Sequence, residues 1–352
     1  MVLLKDETID FTVEWTHDRF SFHPTQPPVI QAKPTPTVLV TADESSIAAM
    51  NNEGYTAVLR SALGAVDQLR NVLDMGGYDG CGMAGVLALQ SGASFVYTVS
   101  DAQVSDEPLT AEERLLTFAK ALLQAERRDC DFMCGGLGQI PLNREWNVAF
   151  VHPVSTCGLL KQDLAESALT ALTMLSRNGS NGVLLPRALR ILAAIVQWDG
   201  VSAYNSVDDR STCGFRVSTA MAQFSVGTFL EVDPWGLSLK WLTDPLEIKT
   251  ISLSEWQPQW TEESSVVVPT TGRADAVLFW FEMDFNVSAQ SFRPELWLST
   301  LRKSPAASLN PGHWMQAASV LAKPIELKTA SLSVRLRATC SQGCLNFTVE
   351  QD

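Results

Sequence analysis

An apolar run that ends in a carboxylate and breaks at once into glycines, Val72-Leu-Asp-Met-Gly-Gly-Tyr-Asp-Gly80, restricts the folds open to this chain. Glycines let the backbone turn sharply and approach a ligand closely, and such turns sit at the C-terminal edge of parallel sheets. A helical pattern over Tyr55–Leu69 precedes the run, and Asn71 to Gly85 reads as a short buried strand, a turn and the start of a helix. An α/β nucleotide-type fold begins this way. A strand-to-helix turn that binds nothing has the same local pattern, so the run needs support from the rest of the chain.

That support begins downstream. Thr110-Ala-Glu-Glu113 is a capping box, and Leu115, Phe118, Ala119 and Leu122 follow at helical spacing until Arg127 and Arg128 meet the negative end of the helix dipole. Trp146–Val151 reads as a buried strand, and the amphipathic run Leu164, Ala168, Leu172 and Leu175 stops at Asn178-Gly179. Strand and helix thus alternate up to about Pro186. Beyond it the period falls to two: Val277, Phe279, Phe281, Met283 and Phe285 alternate with Leu278, Trp280, Glu282 and Asp284. Leu332, Val334, Leu336 and Ala338 repeat the pattern, with Arg335 and Arg337 on the other face. The C-terminal half is therefore expected to be mostly β. No internal repeat is present, which argues against a solenoid or propeller.

Five prolines fall between Pro24 and Pro36, so residues 1–42 are expected to form a flexible Pro-rich segment, with folding proper beginning near Asp43. The 46% hydrophobic and 18% charged residues suit a globular chain with a real core. With 26 Lys and Arg against 39 Asp and Glu, the formal charge of −13 repels phosphates, disfavours nucleic acid and favours basic partners. No apolar run approaches the ~20 residues needed to span a bilayer, and Met1 leads into Lys5, Asp6 and Glu7, so no membrane partner is expected and a cytoplasmic location is. Seven cysteines are then read as reduced thiols. Cys130 and Cys134, like Cys340 and Cys344, lack the usual zinc spacing and have no histidine nearby, so no metal site is expected. Asn178-Gly-Ser, Asn286-Val-Ser and Asn346-Phe-Thr match the glycosylation triplet, without consequence in an unsecreted chain.

The Val72–Gly80 run resembles motif I of the S-adenosylmethionine-dependent methyltransferases, and three stretches C-terminal to it resemble the protein arginine methyltransferases. Asn178-Gly-Ser-Asn-Gly182 with Val183-Leu-Leu-Pro186 is similar to that family's passage into its barrel. Val232-Asp-Pro-Trp-Gly-Leu237 resembles V-D-P-x-x-L, and Gly312-His-Trp314 resembles the T-H-W loop, with Trp280-Phe-Glu-Met-Asp-Phe285 ahead of it. The resemblance covers roughly residues 65–350. It implies a Rossmann-like domain over 43–186, then a β-barrel domain over 187–352 bearing an inserted dimerisation arm at about 197–222.

Against that pattern the departures carry the functional expectation. Asp74, Gly76 and Gly80 remain in motif I, but Tyr78 stands where the family has its middle glycine. Ser100 ends the second strand where the family carries a ribose-gripping glutamate, with Asp101 one place late. Cofactor is therefore expected to bind weakly or not at all. The family's paired glutamates hold the substrate guanidinium; here the aligned run Val151-His-Pro-Val-Ser-Thr-Cys-Gly-Leu-Leu-Lys-Gln-Asp163 puts His152 at the first and Lys161 at the second. A lysine repels a guanidinium cation; even read as a solvated lysine at a helix start, it leaves the acid absent. Asp163 and Glu166 do not restore the motif. His152, with no carboxylate partner identifiable in the sequence, is not read as a general base.

Nor does Ala42–Tyr55 match the family's Y-F-x-S-Y helix, and Tyr55 reads as a surface-edge packing residue. His313 and Trp314 read as a loop dipeptide that packs against the Rossmann-like domain and fixes barrel orientation, with a catalytic role for His313 as the alternative. In the stretch Gln197–Arg216, Trp198, Tyr204 and Phe215 supply aromatic anchors of the kind interfaces favour, with Gly214-Phe215 matching the family's arm; an ordinary barrel loop with buried aromatics is the alternative. The resemblance thus implies a prozyme-type regulatory subunit that pairs, as heterodimer or heterotetramer, with an active arginine methyltransferase, the partner using the S-adenosylmethionine. A divergent active enzyme and a scaffold recruiting basic, arginine-rich substrates remain the alternatives.

Overall fold

The computed structural model describes residues 11–16, 19–24, 48–49, 51–76, 82–99, 131–177, 182–201, 214–221, 229–234, 236–288, 293–301, 314–341 and 343–351, the first two stretches as backbone alone. The chain divides into two compact units. One takes in Met1–His152, Leu169–Leu185 and Phe285–Leu296; the other takes in Pro153–Ala168, Pro186–Asp284 and Trp297–Asp352.

In the first unit, β1 (Phe11–Thr16) and β2 (Arg19–Pro24) pair as an antiparallel hairpin. This differs from the flexible segment expected over 1–42. Phe11-Thr-Val-Glu-Trp15 alternates apolar and polar residues, as a strand does, and the prolines that suggested a tail begin only where β2 ends. Helix α1 (Glu53–Gly64) starts where the Asn52 side chain accepts the Tyr55 N–H at 3.0 Å, a cap typically contributing about 1 kcal/mol. Its buried face is Tyr55, Leu59, Ala62 and Leu63. Tyr55, expected at a surface edge, is 3% exposed, because it lies one turn before Leu59 on the same stripe.

The rest of the unit alternates strand and helix: β3 (Asn71–Asp74), α2 (Met83–Gln90), β4 (Phe95–Val99), β5 (Asp131–Gly135), β6 (Val148–Phe150), α3 (Leu164–Ser176) and β7 (Val183–Leu185). The start of α3 groups with the second unit. All four pairings are parallel and the order is β5-β4-β3-β6-β7. β4 is buried along its length and α2 hides all but its two end residues, which is why both read as continuous apolar runs. The helix expected over 110–128 lies outside the described residues.

The second unit is built on β8 (Ala188–Trp198), with a short helix α4 (Ser218–Met221) after it, then β9 (Phe229–Val232), β10 (Leu239–Trp241), β11 (Leu246–Ser252), β12 (Gln259–Val268), β13 (Gly272–Asp284), β14 (Trp297–Ser299), β15 (Gln316–Leu327), β16 (Leu332–Ser341) and β17 (Cys344–Gln351). One antiparallel sheet runs β10-β8-β13-β15-β9, with β11 also on β8 and β14 also on β13; a second runs β12-β16-β17. β13 lies between β8 and β15 and is buried on both faces. Ala276, Leu278 and Trp280 join a core with Val196, Trp198 and Val320, whereas Phe279 on the opposite face meets Phe347 of β17 at 5.1 Å between ring centres. In β16 the period-two expectation holds: Val334, Leu336 and Ala338 are buried while Arg335 and Arg337 are exposed. Among the described residues no helix is long and apolar enough to cross a membrane.

Candidate functional site at the ends of the parallel strands

The order β5-β4-β3-β6-β7 makes the chain run outward through β4 and β5 on one side of β3, then return to β6 on the other. The crevice at the carboxyl ends of β3 and β6 is the position where open α/β sheets hold ligands. Asp74 closes β3 there, fully buried. The Met75 N–H donates to Phe150 O at 2.9 Å and the Val151 N–H to Leu185 O at 2.8 Å, so the ladder carries past the strand ends and delivers His152 beside β3. His152 Nε2 lies 2.9 Å from Asp74 Oδ1, with side-chain exposures of 5% and 0%.

This pair corrects the sequence expectation that His152 has no carboxylate partner. The partner is the motif I acid itself. When the imidazole carries its second proton the contact is a buried ion pair; when neutral, Nε2–H still donates to the carboxylate. Asp74 Oδ2 has no hydrogen-bond partner among the described residues, and neither has Thr98 Oγ1, on the residue that faces Asp74 across the β3–β4 register. A buried carboxylate served at one oxygen depends heavily on that one contact.

Gly76, the first motif glycine, has φ +87°, and a Cβ there would lie 2.9 Å from Val99 O. Both the dihedral and the approach exclude a side chain. Tyr78, Gly80, Ser100 and Asp101 lie outside the described residues.

In the second unit, residues 153–163 form a closed loop. Val154 and Leu160 bridge antiparallel, the Ser155 N–H donates to Leu159 O at 2.8 Å, and the Ser155 hydroxyl donates to the same oxygen at 3.0 Å. The Lys161 N–H donates to Pro153 O at 2.9 Å. The Met315 N–H donates to Thr156 O at 2.8 Å, tying the loop to the start of β15. At the tip Gly158 has φ +77°, and a Cβ would sit 2.4 Å from Met315 O.

The aromatic residues expected at an interface separate. Trp198 is 6% exposed and sits in the barrel core with Val196, Val201 and Leu278, so it is not available as a surface anchor in this chain. It is the last residue of β8, and strand alternation turns its indole inward with that of Trp280. Phe215 is 70% exposed and Met221 40% exposed. Tyr204 lies outside the described residues, as does His313, while Trp314 is buried.

No group of three or more His, Cys, Asp or Glu capable of holding a metal occurs among the described residues. Cys340 is buried on the inner face of β16, where loss of water raises its thiol pKa, whereas Cys344 is exposed.

No protein-family model matches the chain. Protein arginine N-methyltransferase 9 of Homo sapiens is 25% identical over 185 residues, 52% of this chain and 20% of that protein. The Mus musculus protein of the same name is 24% identical over 213 residues, 60% of this chain and 23% of its own length. The chain thus spans about a quarter or less of the curated relatives it matches. Among solved structures, a chain of the Trypanosoma brucei PRMT1 enzyme-prozyme heterotetrameric complex with AdoHcy superposes with TM-score 0.66 at 16% identity, covering 87% of this chain and 92% of that one. Arabidopsis thaliana protein arginine methyltransferase 10, in a uniquely open conformation, gives 0.59 at 14% identity, covering 86% and 95%. The fold is therefore that of a methyltransferase with a Rossmann-like domain followed by a β-barrel. Within that fold class the chain is similar in sequence, over about half its length, to protein arginine N-methyltransferase 9.

Proposed function

We propose that this chain is a non-catalytic regulatory subunit, a pseudoenzyme that assembles as a heterodimer or heterotetramer with an active protein arginine methyltransferase and activates or stabilises it. The observation that carries the reading is the Asp74–His152 contact. In the family the position of His152 supplies a carboxylate to the substrate guanidinium; here it supplies an imidazole that instead engages the motif I acid within its own chain. The second position offers Lys161. A cation ~4 Å from a guanidinium costs about 1 kcal/mol in water-like surroundings and about 4 kcal/mol at an effective dielectric of ~20, where two carboxylates would attract it.

Weak or absent S-adenosylmethionine binding is part of this reading, and it is supported by the engagement of one Asp74 oxygen with His152. The cofactor belongs to the active partner on this reading. The Trypanosoma brucei neighbour, an enzyme-prozyme heterotetramer, supports assembly with an active subunit. A net charge of −13 favours attraction of basic, arginine-rich substrates and disfavours nucleic acid as a direct partner of this chain. The working location is the cytoplasm.

The test is copurification of the tagged chain from its native cell, identification of the attached arginine methyltransferase, and assay of that subunit with and without this chain at saturating cofactor. Activity that requires this chain is the expected result. Equal activity in both arms refutes activation and leaves the scaffold.

A second reading, a divergent active enzyme, has one specific observation in its favour: a buried carboxylate oriented on an imidazole is how a general base is positioned. Methylation by the purified chain alone would establish it and overturn the first.

A further inference from the structure

Strand β12 ends its sheet with one edge bare. It pairs with β16 over ten residues in unbroken register, from Gln259↔Ser341 to Val268↔Leu332, and no described strand pairs with its other side. The strands that end the larger barrel sheet, β10 and β9, are three and four residues long, and shortness is one way a protein keeps an edge from pairing. β12 lacks that guard and most of the others. Gln259-Trp-Thr-Glu-Glu-Ser-Ser-Val-Val-Val268 contains no proline, glycine or lysine, and no bulge interrupts it.

Register with β16 sorts its side chains. Even-numbered ones from Trp260 to Val268 share the face of the buried Leu336 and Val334, and odd-numbered ones from Thr261 to Val267 share the face of the exposed Arg335 and Arg337. Val267 is 62% exposed, and Ser264 and Ser265 are both exposed, so the middle of the strand stands clear on both faces. Two acids lie beside these serines, but each already has a cation: Glu262 meets Lys249, and Glu263 meets Arg335 at 3.1 Å. The edge therefore holds little spare charge to draw a basic peptide. What it offers is backbone hydrogen bonding.

A second copy of the same strand suits that edge. Residues directly opposite in an antiparallel pair point to one face, so the two-fold axis of a symmetric pair passes through a residue matched with itself. With the axis at Ser264, the two Ser264 hydroxyls meet, Thr261 meets Val267 of the other copy and Trp260 meets its Val268, while Glu262 and Glu263 meet its Val266 and Ser265. No like charges stand opposite, and Val267 gains a β-branched neighbour. An axis at Ser265 instead sets Val267 against Glu263 and Thr261 against Pro269, which has no N–H to give. An axis at Glu263 sets that acid against itself.

We infer that the free edge of β12 is the docking surface for a second copy of this chain, which adds its own β12 antiparallel about a two-fold axis at Ser264. The three strands β12, β16 and β17 of each copy then form one continuous sheet. The inference does not depend on the regulatory-subunit reading; on that reading, this contact joins two heterodimers into the heterotetramer.

The experiment uses the isolated full chain, whose mass is followed by sedimentation velocity up to ~100 µM, high enough to reveal a weak contact. Wild type is compared with Thr261→Lys plus Val267→Lys, which sets lysine opposite lysine twice across the axis, and with Thr261→Glu plus Val267→Lys, which sets glutamate opposite lysine in the same register. Both positions are exposed and lie across from Thr339 and Ser333 of β16, so neither variant puts like charges directly opposite within one chain; melting temperatures check that each stays folded. Ser264→Asp, which sets a carboxylate against itself at the axis, is a second disrupting variant if the double lysine does not fold. Expected is a self-associating wild type whose largest species halves in mass in the double-lysine and Ser264→Asp variants and is regained in the glutamate–lysine variant. A wild type that stays monomeric throughout, an assembly that the disrupting variants leave unmoved, or a folded glutamate–lysine variant that stays dissociated overturns the inference. The regulatory reading stands or falls separately, on the copurification above.

Discussion

Replacing His152 by alanine removes the one hydrogen-bond partner that the Asp74 carboxylate has among the described residues, since Oδ2 has none. The carboxylate sits at 0% exposure at the end of β3, between β4 and β6. Leaving a buried hydrogen-bonding group without its partner typically costs about 1–3 kcal/mol. At about 2–4 °C per kcal/mol for a domain of ~150–250 residues, the melting temperature of the Rossmann-like unit should fall by about 2–12 °C. The paired variant Asp74→Asn with His152→Gln keeps a hydrogen bond between neutral groups, so it should be much milder than the sum of the two single changes. Differential scanning calorimetry on wild type, both singles and the double completes the cycle. A His152→Ala protein melting within ~1 °C of wild type would show that the contact contributes little to stability and would refute the dependence of the buried Asp74 carboxylate on His152.

Titration calorimetry of the isolated chain with S-adenosylmethionine should give weak binding or none; a low-micromolar affinity would refute this. His152→Glu with Lys161→Glu should not produce methylation by the chain alone, and should lower stability, since a glutamate at 152 meets the buried Asp74 carboxylate with like charge. Robust activity of that variant would show that only the glutamates were missing. Gly158→Ala should lose about 2 kcal/mol or more in urea unfolding, because φ +77° is strained for alanine and its Cβ would stand 2.4 Å from a backbone oxygen; an unchanged midpoint would mean the loop has another conformation. Trp198→Ala should cost about 3–5 kcal/mol of barrel stability by leaving a cavity, whereas Phe215→Ala should leave stability within ~0.5 kcal/mol and weaken partner binding instead, separable by melting against pull-down. Equal melting losses in the two variants would refute the separation.

The strand that carries Asp74 was legible because its sequence states everything local: apolar residues, an acid, then glycines. Its partner was not. Asp74 and His152 are 78 positions apart and meet only because β6 pairs in parallel with β3 in one particular register, which no local pattern encodes. Trp198 was misjudged for a related reason, since an aromatic at the mouth of an insertion looks the same whether its ring turns into the barrel or out of it. The alternation in β16 translated directly into an inner and an outer face, but in β13 it separated two buried faces, because sheet neighbours on both sides and packing above and below leave it no outer one. Tyr55 followed the helical stripe it belonged to. The β1–β2 hairpin was hidden by the prolines that come after it.

The position of β13 has a consequence for how the chain is made. Its two lateral neighbours, β8 and β15, lie on opposite sides of it in the sequence, and β15 ends at Leu327. At ~5–20 residues synthesised per second, a completed β13 waits about 2–9 s before the ribosome has finished the strand that covers its second edge. During that interval the apolar run from Ala276 to Phe281 presents open backbone hydrogen-bonding groups along one side, which is the template on which nascent chains aggregate. Slowing translation between β13 and β15 should therefore reduce the yield of folded protein, and a chaperone that binds extended apolar segments should restore it.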